Sequence, residues 1–259
     1  MSILKKIVNS KQKELLKQKE KHSISFLEKQ KYFLREPISI KKHIQNKLGI
    51  ISEFKRKSPS KGIINSHSKV IDVAQQYEKA GVSALSILTN TKYFGGTIND
   101  IISVRDTVNI PILRKEFIID EYQIIETKAI GADAILLIAS ILTKKQIINF
   151  SKIAKSLKLE VLLEIHNENE LIKINNYIDC IGINNRNLNN FTVNINNSIN
   201  LANKIPDNFI KISESGISSI DVIKKLKVYN FKGFLIGENF MKTQNPGNAC
   251  YNFLNQLKK

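Results

Sequence analysis

The sequence predicts a parallel (β/α)8 barrel, the TIM-barrel branch of the α/β class, with an N-terminal helical extension. Three observations lead there. Beyond residue 45, short runs rich in Ile, Leu and Val recur eight times, with amphipathic stretches between them. From Glu53 to Gly237 the ends of these runs fall about 26 residues apart, the period of a strand, a crossover helix and their connections. Residues able to do chemistry sit late in six of the eight runs. An open doubly wound sheet shares the local pattern but gathers its ligands mainly at one switch point, whereas a closed ring brings all strand ends together.

Residues 1–45 stand outside this count, and residues 46–259 form the barrel, so the expectation is one domain overall. Within the extension, residues 3–19 read as a basic amphipathic helix and residues 24–35 as a second helical stretch ending before Pro37. Together they could cover the barrel mouth or bottom, bind a partner or, weakest of the three for want of bulky anchors, lie at a membrane interface. The candidate strands are 49–56 (GIISEFKR), 84–90 (ALSILTN), 111–117 (PILRKEF) and 134–140 (AILLIAS). The set continues with 160–166 (EVLLEIH), 180–186 (CIGINNR), 209–216 (FIKISESG) and 232–240 (KGFLIGENF). Their near-continuous apolar character suits strands buried on both faces. Between them, helices over 69–80 and 121–130 are stopped by Gly81 and Gly131, Thr143 caps the next, and Ser218 or Ser219 caps a later one. The Asn-rich tract LNNFTVNINNSIN keeps enough apolar residues to be a loop leading into a helix.

Composition excludes several classes. A chain with 42% hydrophobic residues is too apolar for a disordered tail protein. The 40 Lys+Arg against 23 Asp+Glu give a formal charge of +17, which invites a nucleic-acid reading. The lysines, however, scatter along helical stretches and do not interleave with aromatics as a single-strand-binding groove requires. They read as solvated faces in a chain rich in Lys, Ile and Asn, so neither a nucleic-acid nor a membrane partner is expected, and the protein is taken as a monomer. Cys180 and Cys250 show no CxxC and no histidine at ligand spacing, so neither disulfide nor metal is expected. The N-terminus is charged from the fifth residue and has no apolar core, unlike a secretory signal. The expected setting is the cytoplasm.

Glu53 and Lys55 lie two apart in a strand and point to one side, as a proton-handling pair or a structural ion pair. The following SPSKG run, which lacks P-loop order, reads as a mobile loop able to close over a ligand. Lys115 lies in an apolar run where burial would lower its pKa toward acid/base or Schiff-base use; a surface lysine beside Arg114 is the alternative. Glu164 lies within an apolar strand and implies a cationic neighbour. Asn184 and Arg186 repeat the two-residue spacing, suiting hydroxyl and carboxylate or phosphate recognition. Ser215-Gly216 and Gly237-Glu238 follow the last two strands, where barrels bind phosphate through backbone N–H groups. His166 ends a strand, and with no second histidine at catalytic or metal spacing it reads as a loop-edge residue without a ligand role.

Seven segments, SEFKRKSPSKG, LTNTKYFGG, PILRKEFIIDEYQI, EVLLEIHNENE, IGINNRNL, ISESGI and FLIGENFM, taken in order, resemble the strand-end motifs of the indole-3-glycerol phosphate synthase family. The resemblance runs from about residue 3 to the C-terminus. It implies a barrel with an N-terminal extension, no cofactor and no metal. It also implies ring closure of 1-(2-carboxyphenylamino)-1-deoxyribulose 5-phosphate to indole-3-glycerol phosphate, with loss of carbon dioxide and water. On that reading Lys115 is the general acid at the ketone oxygen and Glu164 the acid/base partner restoring aromaticity. Glu53 serves proton transfer, Lys55 meets the substrate carboxylate or serves dehydration, Asn184 binds a hydroxyl, and Arg186 braces carboxylates. Ser58, Ser215, Gly216, Gly237 and the backbone of Glu238 cradle phosphate, and Glu214 is a further substrate contact. Pro59, Phe94, Phe117 and Leu188 wall the aromatic ring. The chain departs from the family pattern at Glu116 and Asn187, where Asp is usual, and at Asn90, which is commonly acidic. These changes bear on the lysine pKa values more than on the reaction. Other phosphate-binding barrels, an isomerase or a Schiff-base aldolase, are the nearest alternatives, and a basic RNA-binding module is a remoter one.

Overall fold

The computed structural model describes residues 2–188 and 190–259. Its eight parallel strands are β1 (Ile50–Phe54), β2 (Ala84–Leu88), β3 (Ile112–Lys115) and β4 (Ala134–Ile138), then β5 (Glu160–Ile165), β6 (Cys180–Asn184), β7 (Ile210–Glu214) and β8 (Phe231–Ile236). They pair in sequence order and close as β1 joins β8. All eight candidate strands are present, but each stops short of the predicted C-terminal end. The polar residues there leave the ladder to form the mouth.

Alternation along each strand builds two apolar layers and explains where the chemistry lies. Ile51, Leu113, Ala134, Leu136, Leu162, Cys180, Ile210 and Ile212 form a cluster inside the ring, whereas Ile50, Ile135, Leu137, Val161, Leu163, Ile181 and Phe234 pack under the helices. Successive side chains of a strand face opposite sides. Two residues beyond the interior positions therefore stand Glu53, Lys115, Glu164, Asn184 and Glu214, all pointing into the mouth.

The helices follow their local signals. Val70–Ala80 ends at Gly81, whose φ of 94° is the left-handed C-cap that glycine adopts without strain. Thr143 caps Lys144–Ser156 by accepting the Gln146 N–H, and Ser219 caps Ile220–Lys227. The Asn-rich tract leads into helix Asn196–Ala202.

The extension differs from expectation in two respects. Its first helix, α1 (Ile3–Lys21), is present, but the second, α2, spans only Ile24–Glu28, with turns replacing the remainder. A third helix, α3 (Ile40–Asn46), was not foreseen and directs Ile40 and Ile44 into the interior cluster, plugging the end of the barrel opposite the mouth. Asp133 and Glu160, at the starts of β4 and β5, hold its approach. Asp133 accepts from Ile38 N (2.7 Å), while Glu160 accepts from Ser39 Oγ (2.5 Å) and Lys41 N (2.9 Å).

Helix α1 lies over the mouth. Ile7, Lys11 and Leu15, four residues apart, form its buried face. Lys11, 2% exposed, pairs with Glu116 at 3.0 Å, and Leu15 packs on Leu27 and Tyr122. Glu116 also accepts from Thr89 Oγ1 and from Phe117 N, each at 2.9 Å, so this departure from the family pattern is a buried carboxylate with three partners.

Candidate active site

The mouth encloses a cavity of about 580 Å³, within the range of small-molecule sites. All the catalytic and binding candidates lie on its wall, brought there by the strand ends and the loops that follow them. Lys55 Nζ lies 2.7 Å from Glu53 Oε1, so the two-residue spacing yields a contact. Lys115 Nζ lies 3.2 Å from Glu164 Oε2 and 3.4 Å from Glu214 Oε2, which supplies the cation that a buried Glu164 requires. Glu164 Oε1 accepts from Asn184 Nδ2 at 3.2 Å.

Electrostatics correct one expectation. Burial does act to lower the Lys115 pKa, but Glu164, Glu214 and Glu53 outweigh it and hold the amine above its ordinary value. Lys115 is therefore a buried, charged ammonium, neither a surface lysine nor a neutral amine. Burial likewise opposes ionisation of Glu164, and Lys115, His166 and Asn184 overcome it, holding that carboxyl well below its usual range. Glu53 is held low against burial by Lys55 and Lys115. Glu214 goes the other way: burial pushes it up and Glu164 adds to the effect, although Lys115 opposes both. The centre thus holds two carboxylates of depressed pKa and one of raised pKa around the same ammonium.

Two glycines make room for these acids. A Cβ on Gly182 would sit 2.1 Å from Glu214 Oε1, and one on Gly237 would sit 2.6 Å from Glu53 Oε1. Gly182→Ala, wedged between Glu214 and Leu162, is expected to lower kcat by about a hundredfold by pushing Glu214 off Lys115. Steady-state rates of the folded variant check this, and unchanged turnover would show that the carboxylate is not held by that fit.

One end of the cavity is apolar. The Phe94 and Phe117 rings lie 5.9 Å apart between centroids, and Pro59, Leu188 and Ile7 join them on the wall. The other end is cationic and rich in backbone donors. Ser215 and Gly216 take successive left-handed conformations, φ 68° and 77°, in a turn clamped by Asn185, whose Nδ2 donates to Glu214 O and Ser215 O at 3.1 Å. Arg186, Lys61 and Lys242 line this region. The Glu238 side chain turns toward Lys61 (3.7 Å) and Arg186 (3.6 Å) and not into open space.

The SPSKG segment, expected as a mobile loop, forms a short hairpin in which Lys57–Ser58 pairs with Gly62–Ile63 and places Ser58 and Pro59 on the wall. Its root is fixed by Arg56, which grips Asp100 through two bonds of 2.7 Å. Asn90 caps the short helix Thr91–Phe94 by accepting from Tyr93 N at 3.0 Å, so amide replaces acid in a structural role. The Asn187 backbone carbonyl accepts from Phe191 N and its N–H donates to Thr192 O, each at 2.9 Å, within the loop after β6.

Sequence reasoning missed Ile3, Leu4 and Ile7 of α1 as cavity wall, the turn clamp Asn185, and the cations Lys61 and Lys242. That the extension covers the mouth is one of the placements its sequence allows, but nothing local singles out these three residues, since the buried face of α1 is short and interrupted by Lys11. Asn185 faces away from the mouth and acts through Ser198 and Ser213, contacts set only by tertiary packing.

A closed barrel whose C-terminal mouth joins lysine–carboxylate pairs to a cationic corner defines a barrel enzyme for proton-transfer chemistry on an anionic substrate. The family model described as indole-3-glycerol phosphate synthase matches residues 4–253. The chain belongs to that family, the carboxy-lyases of tryptophan biosynthesis. A relative of that name from Bacteroides thetaiotaomicron is 46% identical over 257 residues, 99% of each chain. Another, from Petrotoga mobilis, is 43% identical and covers 94% of this chain and 93% of its own. Among solved structures, tryptophan synthase subunit alpha from Legionella pneumophila aligns with a TM-score of 0.62 over 85% of this chain and 96% of its own. At 13% identity that likeness is one of fold.

Proposed function

We propose that the mouth closes the indole ring of 1-(2-carboxyphenylamino)-1-deoxyribulose 5-phosphate, releasing carbon dioxide and water, with the roles below. The observation that carries this reading is Lys115 held charged between Glu164 and Glu214, at the junction of an aromatic slot and a cationic corner. The anthranilate ring lies between Phe94 and Phe117, beside Pro59 and Leu188. The phosphate lies against Ser58, Ser215, Gly216, Gly237 and the Glu238 backbone.

Lys115 protonates the ketone oxygen as the ring carbon attacks it, since negative charge develops there. Giving up that proton removes the positive charge that depresses Glu164. The attacking carbon then sheds its carboxylate as carbon dioxide, and the electrons of the broken bond restore the benzene ring. Glu164, now the stronger base, takes the methylene proton lost as water leaves to complete the indole. One transfer thereby prepares the next. Glu53 and Lys55, in direct contact, serve that dehydration, with Lys55 also facing the substrate carboxylate. Asn184 binds a substrate hydroxyl while holding Glu164, and Arg186 braces the carboxylates. A Schiff-base mechanism would need a neutral Lys115, which its carboxylate neighbours oppose. The two free, buried cysteines suit a reducing compartment such as the cytoplasm, and a monomer suffices because every proposed group comes from one chain.

A fluorescence assay for the indole product tests this directly. Wild-type protein should turn over, and Glu164→Gln should lower kcat by roughly a hundredfold to a thousandfold with substrate still bound. An inactive wild type would remove the functional reading; an active Glu164→Gln would remove the role of that carboxylate.

A further inference from the structure

His166 follows β5 directly and is largely buried, with 13% of its side chain exposed, yet it is not part of the cavity wall. Its two ring nitrogens face two different carboxylates. Nε2 lies 3.4 Å from Glu164 Oε1, and Nδ1 lies 3.7 Å from Glu170 Oε2. Among the described residues neither nitrogen has another hydrogen-bond partner, and both are shielded from solvent. A neutral imidazole carries one N–H and one lone pair, so it would turn a lone pair toward a buried carboxylate on one side; only the imidazolium has a donor for each.

The surroundings fix the ring in that position. The Glu170 carboxylate, in the 3-10 helix Glu168–Lys173, accepts the His166 backbone N–H at 2.7 Å, and Asn197 Nδ2 donates to the His166 carbonyl at 3.0 Å. The charged groups facing the ring are Glu164 near the end of β5, Glu170 on the 3-10 helix and Glu214 on β7, with Lys115 on the far side of Glu164. We propose that His166 is a positioning residue for the reaction, an imidazolium bridge from Glu170 that fixes Oε1 of Glu164 and sets how basic that carboxylate is. The expected loop-edge role is thereby replaced by one behind the wall.

Burial works against a charged ring, and Glu170, Glu164 and Glu214 overcome it, holding the imidazole pKa above its ordinary value. The sign for activity follows. Below the His166 midpoint the bridge is intact, and as pH rises through it one nitrogen loses its proton and faces a carboxylate with a lone pair, so Glu164 loses its support. The inference rests on the acid/base role proposed for Glu164, but its titration can be read without turnover.

Two measurements on the full chain test it. In an NMR titration of the four histidines, assigned with His166→Gln, the His166 midpoint should lie above the ordinary value of about 6.5 and fall in Glu170→Gln. A midpoint at or below the ordinary value, or one indifferent to Glu170→Gln, overturns the bridge. In the pH dependence of kcat, wild type should lose activity through the same midpoint, and Glu170→Gln should move that limb to lower pH. His166→Gln should lack the limb and run roughly tenfold slower at unchanged KM. An unaltered limb in His166→Gln overturns the inference. A raised midpoint in an enzyme insensitive to Glu164→Gln would instead locate the fault in the role given to Glu164.

Discussion

Lys115→Met is expected to lower kcat by about a thousandfold or more, the largest single loss among the mouth residues. Methionine keeps an unbranched side chain of similar reach, and Glu214 already favours the neutral acid, so the barrel should survive. What disappears is both the proton and the charge that Glu164, Glu214 and Glu53 share. Those two losses separate in Lys115→Arg. A guanidinium keeps the charge and so keeps the carboxylates ionised, but it cannot release a proton at any working pH. Lys115→Arg should therefore fold, bind substrate and remain inactive. Steady-state product fluorescence and substrate titration read the two quantities independently. An arginine variant with near-native turnover would show that the cation stabilises charge without transferring a proton, and would remove the general-acid assignment.

Periodicity located the strands because alternation is local: Ile50 and Ile51 already face opposite sides, and the same parity carried two residues further puts Glu53 in the mouth. Short glycine and cap signals, Gly81 and Thr143 among them, were equally readable. The direction of the Lys115 pKa was not, because it depends on Glu164 and Glu214, 49 and 99 residues away, arriving through barrel register. The strand alone supplied burial, which has the opposite sign. Helix α3 escaped notice because two isoleucines in a polar heptapeptide look like a loop until the open end of a barrel is there to receive them. His166 escaped for a similar reason, since Glu170 reaches it by a tight 3-10 turn and Glu164 by alternation, and no ligand spacing advertises either. The +17 charge misled in proportion to its size, whereas the positions of Lys55, Lys115 and Arg186 were informative.

Asp133→Ala should cost about 3–5 kcal/mol of stability, the largest effect expected away from the mouth. Asp133 is fully buried at the start of β4, and its carboxylate collects four donors. Oδ1 accepts from Arg35 at 2.5 Å and from Ile38 N at 2.7 Å; Oδ2 accepts from Arg105 at 2.8 Å and from Ile112 N at 2.7 Å. Removing it strands Arg105, 4% exposed, without a counter-charge and frees the backbone leading to the α3 plug. A urea midpoint shift at unchanged m value would measure the loss. The exposed pair Lys158–Glu36 supplies the contrast, because Glu36→Gln breaks an ion pair that water already screens and should leave the midpoint where it was. Asp133 also lies at the end of the strands remote from the cavity, where barrels invest in stability and not in chemistry. Below its unfolding transition the Asp133→Ala enzyme should therefore keep near-native kcat and KM. A variant that stays folded but loses turnover would mean that the plug end and the mouth are coupled through the barrel interior.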